Sequence, residues 1–563
     1  MSEDLKARVR AAERDIDQYF DSELRIAGLY RPALVNAMLD IAEQLVTGHR
    51  APDDRYDDAI RALYINVVNG LNWSLRKARL LASGSRRAVP QDLDRIAHGC
   101  ISDGMAYPFV EGPFYSYWKG YATVSFPKDK EISFTPTGGQ LDARLRRHHG
   151  RDGIEEAVEP VKENPLLDPE SPLASKFATS LLKRSQVKRV GGFIWKVDRD
   201  VVKAVADVMT DFVASRIGAT EIAVEGLSLS ALVRGVGVVL AVSQIHSLVS
   251  ILMGEDATDV STSVNWPALY RPRREWLRWF EIADADEKVL AALTFDFDAK
   301  YDDVAITPLV PMDADYLGVV PSIVMKSNWP RNLLALLARK YGDAYSTYSS
   351  SKEERLLATF RESQPSLVRA TTVHLPKWKG RGLPDVDIVI SDAAENVVAI
   401  TEVKWQLSAS ETRDVIARND YLKKGAEQLA RIREFLTENP GYLRDRKILS
   451  RPIEADRAVY LLLCKGHMGS EDVIRPGIVM ADWNVFCEYV ARFTLAETMK
   501  RLASYDYLPI EGRDFTLDTT RLQFGDWVLG WKQFHALELP PDTETDALEA
   551  LYRSAYKFFP RDR

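Results

Sequence analysis

The sequence predicts a multidomain α and α/β protein, in which a large, mostly helical N-terminal region precedes an α/β domain with a mixed central sheet. Three observations predict this class. The chain has 563 residues, which is too many for one hydrophobic core and indicates two to four domains. Apolar residues recur at helical spacing through much of the first half of the chain. From about residue 345, strand-like runs alternate with helical segments.

The N-terminal region, residues 1–345, is predicted to be helical in two stretches. Apolar spacing predicts helices within residues 1–100, for example in "RPALVNAMLDIAEQLV". Helical periodicity returns at "DRDVVKAVADVMTDFVASRIG" and continues to about Phe297. Residues 101–175 are rich in aromatic, glycine and proline residues, with strand-like pieces and loops. We therefore expect the region to divide into two subdomains there.

The C-terminal third carries an alternating pattern. The predicted elements are, in order, a helix at Ser350–Glu362, a strand at Ser366–His374, a hairpin between Gly382 and Trp405, a helix at Asn419–Asn439, the strands "RAVYLLLC" and "GIVMAD", and a helix that Asp482 can cap. This order predicts an α/β domain over residues 346–492, with helices on both faces of a mixed sheet. Residues 493–563 would form a C-terminal extension.

Composition and charge exclude several classes of protein. A net charge of −7 argues against coating nucleic acid by bulk attraction, although a local basic groove is compatible with it. Cys100, Cys464 and Cys487 are odd in number and far apart, which argues against disulfides and cysteine zinc sites and favours the cytoplasm. The apolar segment Gly235–Gly254 contains several polar residues, among them His246. It therefore predicts a buried core helix rather than a membrane span.

The hairpin "GLPDVDIVISDAAENVVAITEVKW" carries charges at positions that should be buried. Side chains alternate between the faces of a strand, so Glu402 and Lys404 share one face of the second strand. Asp385 and Asp387 likewise share a face of the first strand. Opposed residues of paired strands lie about 5 Å apart at Cβ, so two carboxylates and an ammonium would lie close together.

The turn "SDAAEN" leaves two registers for this hairpin. If Ser391 pairs with Asn396, Asp385 faces Glu402. If Asp392 pairs with Val397, Asp387 faces Glu402 instead. Both registers keep the acids on one side of the sheet.

Such a cluster predicts a divalent cation. Like charges opposed across strands repel each other, and a buried unpaired charge is costly. Mg²⁺ takes carboxylate oxygens as ligands, can lower the pKa of a bound water and can stabilise charge on a phosphoryl oxygen. Lys404 could then orient the attacking water or contact the scissile phosphate.

The strings "PDVDIVI" and "TEVK" resemble the signature of the PD-(D/E)XK nuclease superfamily, which has the restriction-endonuclease-like fold. The resemblance implies phosphodiester hydrolysis with Mg²⁺, or Mn²⁺ in its place. It implies that Glu402 and either Asp387 or Asp385 bind the metal and that Lys404 is the catalytic lysine. The apolar run "IVI" after Asp387 favours that residue, whereas the Pro-Asp pair favours Asp385.

Two further elements extend the resemblance. Glu353 shares a helical face with Leu356, Leu357 and Phe360, so it could be an added catalytic acid, an arrangement similar to Holliday-junction resolvases of the superfamily. The alternative is an exposed acid at the start of a helix. On the helix after the lysine strand, Lys424 and Gln428 could face the site, Gln428 in a catalytic role and Lys424 toward nucleic acid. Alternatively, both are solvated.

The loop "PKWKGRG" precedes the hairpin and could contact the nucleic acid. Lys377, Lys379 and Arg381 would contact the phosphate backbone, and Trp378 would stack on a base. A solvated basic loop is the alternative.

We therefore expect a Mg²⁺-dependent DNA endonuclease, such as an anti-phage or restriction-like effector. Residues 1–345 contain no Gly-rich phosphate loop followed by Lys-Ser/Thr and would supply targeting or partner binding. Cutting both strands of a duplex favours a two-fold dimer. The alternatives are a non-catalytic protein that binds nucleic acid or a partner through a nuclease-like fold, and an RNase with the same site.

Overall fold

Two compact units make up the chain. The computed structural model describes residues 3–47, 57–82, 84–86, 88–157, 186–189, 193–196, 199–218, 221–255, 268–299, 302–408, 412–454 and 457–536. The first unit comprises Met1–Glu111, Glu156–Tyr345 and Gln523–Trp527, and the second comprises Gly112–Glu155, Ser346–Leu522 and Val528–Arg563. The division after Tyr345 coincides with the predicted start of the α/β domain, and the second unit also takes in residues 112–155 and most of the C-terminal extension.

Helices dominate the first unit and cover the sheet of the second. In the described residues they are α1 (Glu3–Glu23), α2 (Arg31–Thr47), α3 (Asp57–Leu81), α4 (Pro90–Ala106), α5 (Pro108–Trp118), α6 (Gln140–Ala157), α7 (Arg199–Ile217), α8 (Leu229–Glu255), α9 (Arg273–Ile282), α10 (Glu287–Ala292), α11 (Pro321–Lys326), α12 (Trp329–Lys340), α13 (Gly342–Ser363), α14 (Thr412–Glu438), α15 (Tyr442–Asp445), α16 (Trp483–Arg492) and α17 (Leu495–Ser504).

The strands form several separate sheets. They are β1 (Ala122–Lys128), β2 (Glu131–Pro136), β3 (Gln186–Arg189), β4 (Phe193–Lys196), β5 (Ala223–Val224), β6 (Leu227–Ser228), β7 (Leu269–Pro272), β8 (Val310–Pro311), β9 (Tyr316–Val319), β10 (Val368–Val373), β11 (Lys377–Trp378), β12 (Arg381–Gly382), β13 (Val386–Ser391), β14 (Val398–Trp405), β15 (Ala458–Lys465), β16 (Ile478–Asp482), β17 (Phe515–Phe524) and β18 (Trp527–Ala536). The α and α/β class predicted from the sequence is therefore observed.

The most apolar helix, α8, is a core helix, as predicted. Among the described residues, only its stretch Leu229–Val249 is long and apolar enough to cross a membrane, and 83% of its apolar window is buried in the protein. His246 lies in this helix and is 3% exposed. The helix packs against α7 within the first unit.

One predicted assignment in residues 101–175 is wrong. The segment "YPFVEGPFYSYWKG" has strand-like composition, but Pro108–Trp118 forms helix α5. Its buried residues Val110, Phe114 and Tyr117 recur at helical spacing and bury one side of the helix. Strands begin only at Ala122. Residues 158–175, the part of this stretch that was predicted to form a loop, lie outside the described residues.

A five-stranded mixed sheet forms the centre of the second unit. Its strand order is β10-β13-β14-β15-β16. β13 pairs antiparallel with β10 and β14, whereas β14, β15 and β16 run parallel. Helix α14 covers one face through buried residues such as Leu422, Ala426 and Leu429. Helices α13, α16 and α17 cover the other face. β14 is therefore central and covered on both sides, as its apolar residues predicted.

The turn between β13 and β14 sets the register of the hairpin. Ser391 pairs with Val398 and Ile388 with Thr401, so Asp387 lies opposite Glu402, the second of the two predicted registers. The Asp392 carboxylate accepts the N–H groups of Asn396 and Val397 at 2.7 and 3.2 Å. Asp392 thereby closes a six-residue turn and fixes which aspartate faces the next strand.

Candidate active site

Asp387, Glu402 and Lys404 share the face of the sheet that helix α14 covers. Glu402 is 3% exposed, and its Oε1 lies 2.6 Å from Lys404 Nζ. The Asp387 Oδ2 accepts the backbone N–H of Val403 at 2.7 Å, which anchors that carboxylate at the junction of β13 and β14. The structure thus brings these three predicted site residues together at one end of the sheet.

Glu353 reaches the same end of the sheet from helix α13. Its Oε1 accepts the backbone N–H of Trp405 at 2.9 Å, and its charge interacts with those of Lys404 and Asp387. Glu354 is exposed, whereas Leu357 and Phe360 are buried against the sheet. Glu353 is therefore on the sheet side of the helix and not an exposed acid at a helix start.

Burial and mutual repulsion act on the acids in the same direction. Burial, and next to it the charge of Asp387, raises the pKa of Glu402 to about 7 although Lys404 opposes the shift. Burial also raises the pKa values of Asp387 and Glu353. Each carboxylate is therefore costly to ionise in the metal-free protein, and a bound cation would offset that cost.

Lys404 remains an ammonium despite its burial. Burial favours the neutral amine, but the charges of Glu402 and Glu353 and the hydrogen bond to Glu402 outweigh that effect and raise the pKa of Lys404. The lysine is therefore suited to donate hydrogen bonds and to hold positive charge, rather than to accept a proton.

Tyr421 on α14 forms the wall opposite Lys404 and was not predicted from the sequence. Its ring centroid lies 5.6 Å from Lys404 Nζ, and its side chain hydrogen-bonds Glu353. One helical turn later, a Cβ on Gly425 would lie 3.3 Å from Lys404 Cε, so a larger residue would crowd the lysine chain. The sequence feature that could have identified Tyr421 is its position one helical turn before Lys424, on the helix already predicted to face the site.

Asp385, Lys424 and Gln428 are the remaining predicted site residues. After burial, the charge of Asp385 is one of the causes that raise the pKa of Asp387. Asp385 is half-exposed, and its Oδ2 lies 2.8 Å from His374 Nδ1. Lys424 is exposed on α14, whereas Gln428 is half-buried and lies one turn beyond Gly425 on the same side of that helix. Asp387 is therefore the aspartate that the register and burial bring to Glu402.

The basic loop forms a small hairpin, β11–β12, that is bound to the far end of α14. Trp378 packs edge-on against Phe435 with centroids 6.2 Å apart, and Lys379 Nζ lies 3.9 Å from the centroid of the Trp378 ring. Both side chains also bond to Glu438. Glu438 follows Tyr421 by 438 − 421 = 17 residues, about 25 Å along the helix. The tip of this hairpin is thus away from the acids. Lys377, Lys379 and Arg381 are all exposed there, and Lys379 is paired with Glu438.

The donor set fits a hard divalent cation in its chemistry. Carboxylate oxygens from Asp387 and Glu402, with Glu353 beside them, are the ligand type that Mg²⁺ and Mn²⁺ take. In the described part of the chain, no three His, Cys, Asp or Glu side chains already converge as a metal-binding group. Glu402 is paired with Lys404, so a cation would have to compete with this ammonium for the carboxylate.

Comparison of the chain with protein-family models, with curated proteins and with solved structures finds no match in any of the three.

The raised pKa of Glu402 predicts how affinity for a divalent cation depends on pH. A ligand carboxylate must lose its proton before it binds metal, and Glu402 does so near pH 7. We expect the Mn²⁺ affinity to rise about tenfold from pH 6 to pH 8 and to level off above that. Calorimetric titration at pH 6, 7 and 8 would measure this, with Glu402→Gln as the variant in which the pH dependence flattens. A wild-type affinity that does not change with pH would contradict the prediction.

Proposed function

We propose that the chain is a metal-dependent endonuclease of the PD-(D/E)XK type that hydrolyses phosphodiester bonds of DNA, with Mg²⁺ or Mn²⁺ as the cofactor. The observation that carries the proposal is the placement of Asp387 opposite Glu402 in a central, covered strand pair, with Lys404 on the same face. Buried like charges destabilise a fold, and they are therefore found mainly where they bind a ligand or take part in a reaction.

The surrounding fold supports a restriction-endonuclease-like domain. The five-stranded mixed sheet has the acids on an antiparallel pair and continues into parallel strands, with helices on both faces. In the proposal, Glu353 and Tyr421 complete the site from the two helices that flank its end.

The side chains divide the chemistry between them. Asp387 and Glu402 would hold the cation, and Glu353 would be an additional acid beside it. When bound, the cation would lower the pKa of a water and stabilise charge on the phosphate. Lys404, held as an ammonium, would hydrogen-bond a non-bridging phosphate oxygen or orient the attacking water, and its positive charge would be worth more in this buried setting than in solvent.

A non-catalytic binding protein is the second candidate, and one observation favours it. The acids already have partners, because Glu402 pairs with Lys404 while Asp387 and Glu353 accept backbone N–H groups. If these contacts keep the acids from binding a metal, the protein would bind nucleic acid or a protein partner through the same fold without cleaving it.

A substrate panel separates the two candidates and addresses RNA as a third possibility. The purified full chain would be incubated with labelled duplex DNA, single-stranded DNA and RNA, in Mg²⁺, in Mn²⁺ and in EDTA. The proposal expects metal-dependent products from DNA and none in EDTA. Products from RNA alone would make the enzyme an RNase. Binding without products under every condition would favour the second candidate.

The acid site alone does not explain how a nuclease would be directed to its substrate, and the first unit could supply that function. We propose that it targets the nuclease, as in a restriction-like or anti-phage effector, and that two copies act together when both strands of a duplex are cut. The first unit contains the described helices α1–α4 and α7–α12.

Tyr421 is expected to tune the reaction without determining the fold. Tyr421→Leu removes the ring beside Lys404 and the bond to Glu353, and a ring–ammonium contact contributes about 0.5–2 kcal/mol. We expect DNA cleavage to slow about tenfold. The melting temperature should change little because Tyr421 is 39% exposed. Tyr421→Phe, which keeps the ring, should retain more activity than Tyr421→Leu. Equal rates for both variants and the wild type would remove Tyr421 from the site.

A further inference from the structure

A cavity lies at the carboxyl ends of β14 and β15, on the face of the sheet covered by α13 and α16. Its volume is about 380 Å³, which is within the lower range of pockets that hold small ligands. Its walls come from α13, from α16 and from the strand ends at Trp405 and Lys465. The carboxyl ends of parallel strands are a common place for ligands in α/β sheets. Asp387, Glu402, Lys404 and Glu353 form the acid cluster described above, and none of these four residues lines the cavity.

Three cationic side chains line the cavity, and the described lining contains no carboxylate. They are Lys352 and Arg355 on α13 and Lys465 at the end of β15. Lys352 and Arg355 are one helical turn apart, and like charges at this spacing repel each other. Burial, and next to it the charge of Arg355, lowers the pKa of Lys352. An anionic group in the cavity would relieve this repulsion.

Aromatic rings form the other part of the lining. Trp405 is partly exposed and presents its ring to the cavity. Phe360 and Trp483 are buried and form the base of the cavity, where their rings meet edge to face with centroids 5.9 Å apart. Aromatic side chains beside a positively charged groove are what proteins use to hold a base and its phosphate. Rings and cations in one small cavity therefore favour a ligand that has both a planar ring and a negative charge.

We propose that this cavity binds a nucleoside phosphate. The ligand is either a nucleotide of a bound strand or a free nucleotide, since the two share the same base and phosphate. The cavity adjoins the acid cluster across β14, because Trp405 follows Lys404 directly and its backbone N–H donates to Glu353. The proposal depends on the cavity alone and does not require that the protein cleave DNA.

Cys487 provides a reporter inside the cavity. It lines the cavity and is partly exposed, whereas the other two cysteines of the chain, Cys100 and Cys464, are buried. Burial raises the pKa of the Cys487 thiol to about 11, so alkylation would be measured at alkaline pH, where more thiolate is present. The rate of iodoacetamide modification of the Cys487 peptide, followed by mass spectrometry in EDTA, reports occupancy without any cleavage.

The experiment uses dAMP, AMP, a ten-nucleotide single-stranded DNA and inorganic phosphate as separate probes. We expect a mononucleotide or the oligonucleotide to slow the alkylation of Cys487 at least fivefold. Protection by mononucleotides would identify a free nucleotide as the ligand, and protection by the oligonucleotide alone would identify a nucleotide of a strand. Arg355→Glu should abolish the protection, whereas Arg361→Glu, a charge reversal at an exposed position of the same helix, should retain it.

Three results would overturn the proposal. The first is no protection by any nucleotide. The second is protection by inorganic phosphate as strong as that by dAMP, which would indicate an anion site that does not recognise a base. The third is protection that persists in Arg355→Glu.

Discussion

Replacing Glu402 by Gln should lower the rate of Mg²⁺-dependent DNA cleavage by about 10³-fold or more. The substitution keeps the shape of the side chain but removes the carboxylate proposed to bind the metal, which is also the partner of Lys404, whose Nζ lies 2.6 Å away. A loss of this size corresponds to about 4 kcal/mol of transition-state stabilisation, which is within what a catalytic metal provides. Single-turnover cleavage of a labelled duplex at saturating protein would measure the chemical step without the contribution of binding.

The matched control is Glu354→Gln. Glu354 is exposed on helix α13, next to the proposed catalytic acid Glu353, so this variant undergoes the same Glu-to-Gln change outside the site. It should cleave at close to the wild-type rate. Circular dichroism and duplex binding in EDTA should be the same for all three proteins. Unimpaired cleavage by a folded Glu402→Gln variant would show that the acid cluster is not the active site.

Replacing Asp387 by Asn should weaken divalent-cation binding by at least about 100-fold and, in EDTA, make the protein more stable. The first effect follows from the loss of a ligand charge. The second follows because the charge of Asp387 raises the pKa of Glu402, so its removal lets Glu402 ionise and pair with Lys404 at lower cost. The amide oxygen of Asn can still accept the N–H of Val403. A gain of about 1 kcal/mol would raise the melting temperature by about 2–4 °C.

Asp385→Asn distinguishes the two aspartates of "PDVD". Asp385 is half-exposed and pairs with His374, so its loss should change Mn²⁺ affinity by less than about threefold, as expected for a screened surface charge. Calorimetry with Mn²⁺ and thermal melts with and without EDTA would compare the two variants. Should Asp385→Asn lose the metal while Asp387→Asn retains it, the register-based assignment would be wrong.

The sheet and the order of its elements could be predicted because they depend on local patterns. Alternation and apolar runs located β13 to β16, and the carboxylate of Asp482 caps α16 by accepting the N–H groups of Asn484 and Val485, as predicted. The sequence left two registers for the hairpin, one with Asp385 and one with Asp387 opposite Glu402. The choice between them depends on how Asp392 closes the turn, an interaction that composition does not reveal.

Other features depend on tertiary contacts that sequence patterns do not contain. Helix α13 begins at Gly342, eight residues before its predicted start, because the Ser- and Tyr-rich stretch "GDAYSTYSS" is held by packing, with Tyr348 1% exposed and against Trp405. Trp378 was predicted to face nucleic acid, yet its ring packs against Phe435. Tyr421 lies beside Lys404 only because α14 packs on this face of the sheet, a tertiary contact that the sequence pattern does not contain.

The most direct test of the central claim is the conversion of covalently closed circular DNA by the wild type and by Lys404→Met, purified in parallel. Met keeps the length of the lysine chain but has no charge, and Lys404 is buried between Glu402 and Tyr421. We expect the wild type to convert the closed circle to nicked or linear DNA in Mg²⁺ but not in EDTA. We also expect folded Lys404→Met to leave the closed circle intact. Conversion by Lys404→Met at the wild-type rate, or no conversion by the wild type in Mg²⁺ or Mn²⁺, would contradict the central claim.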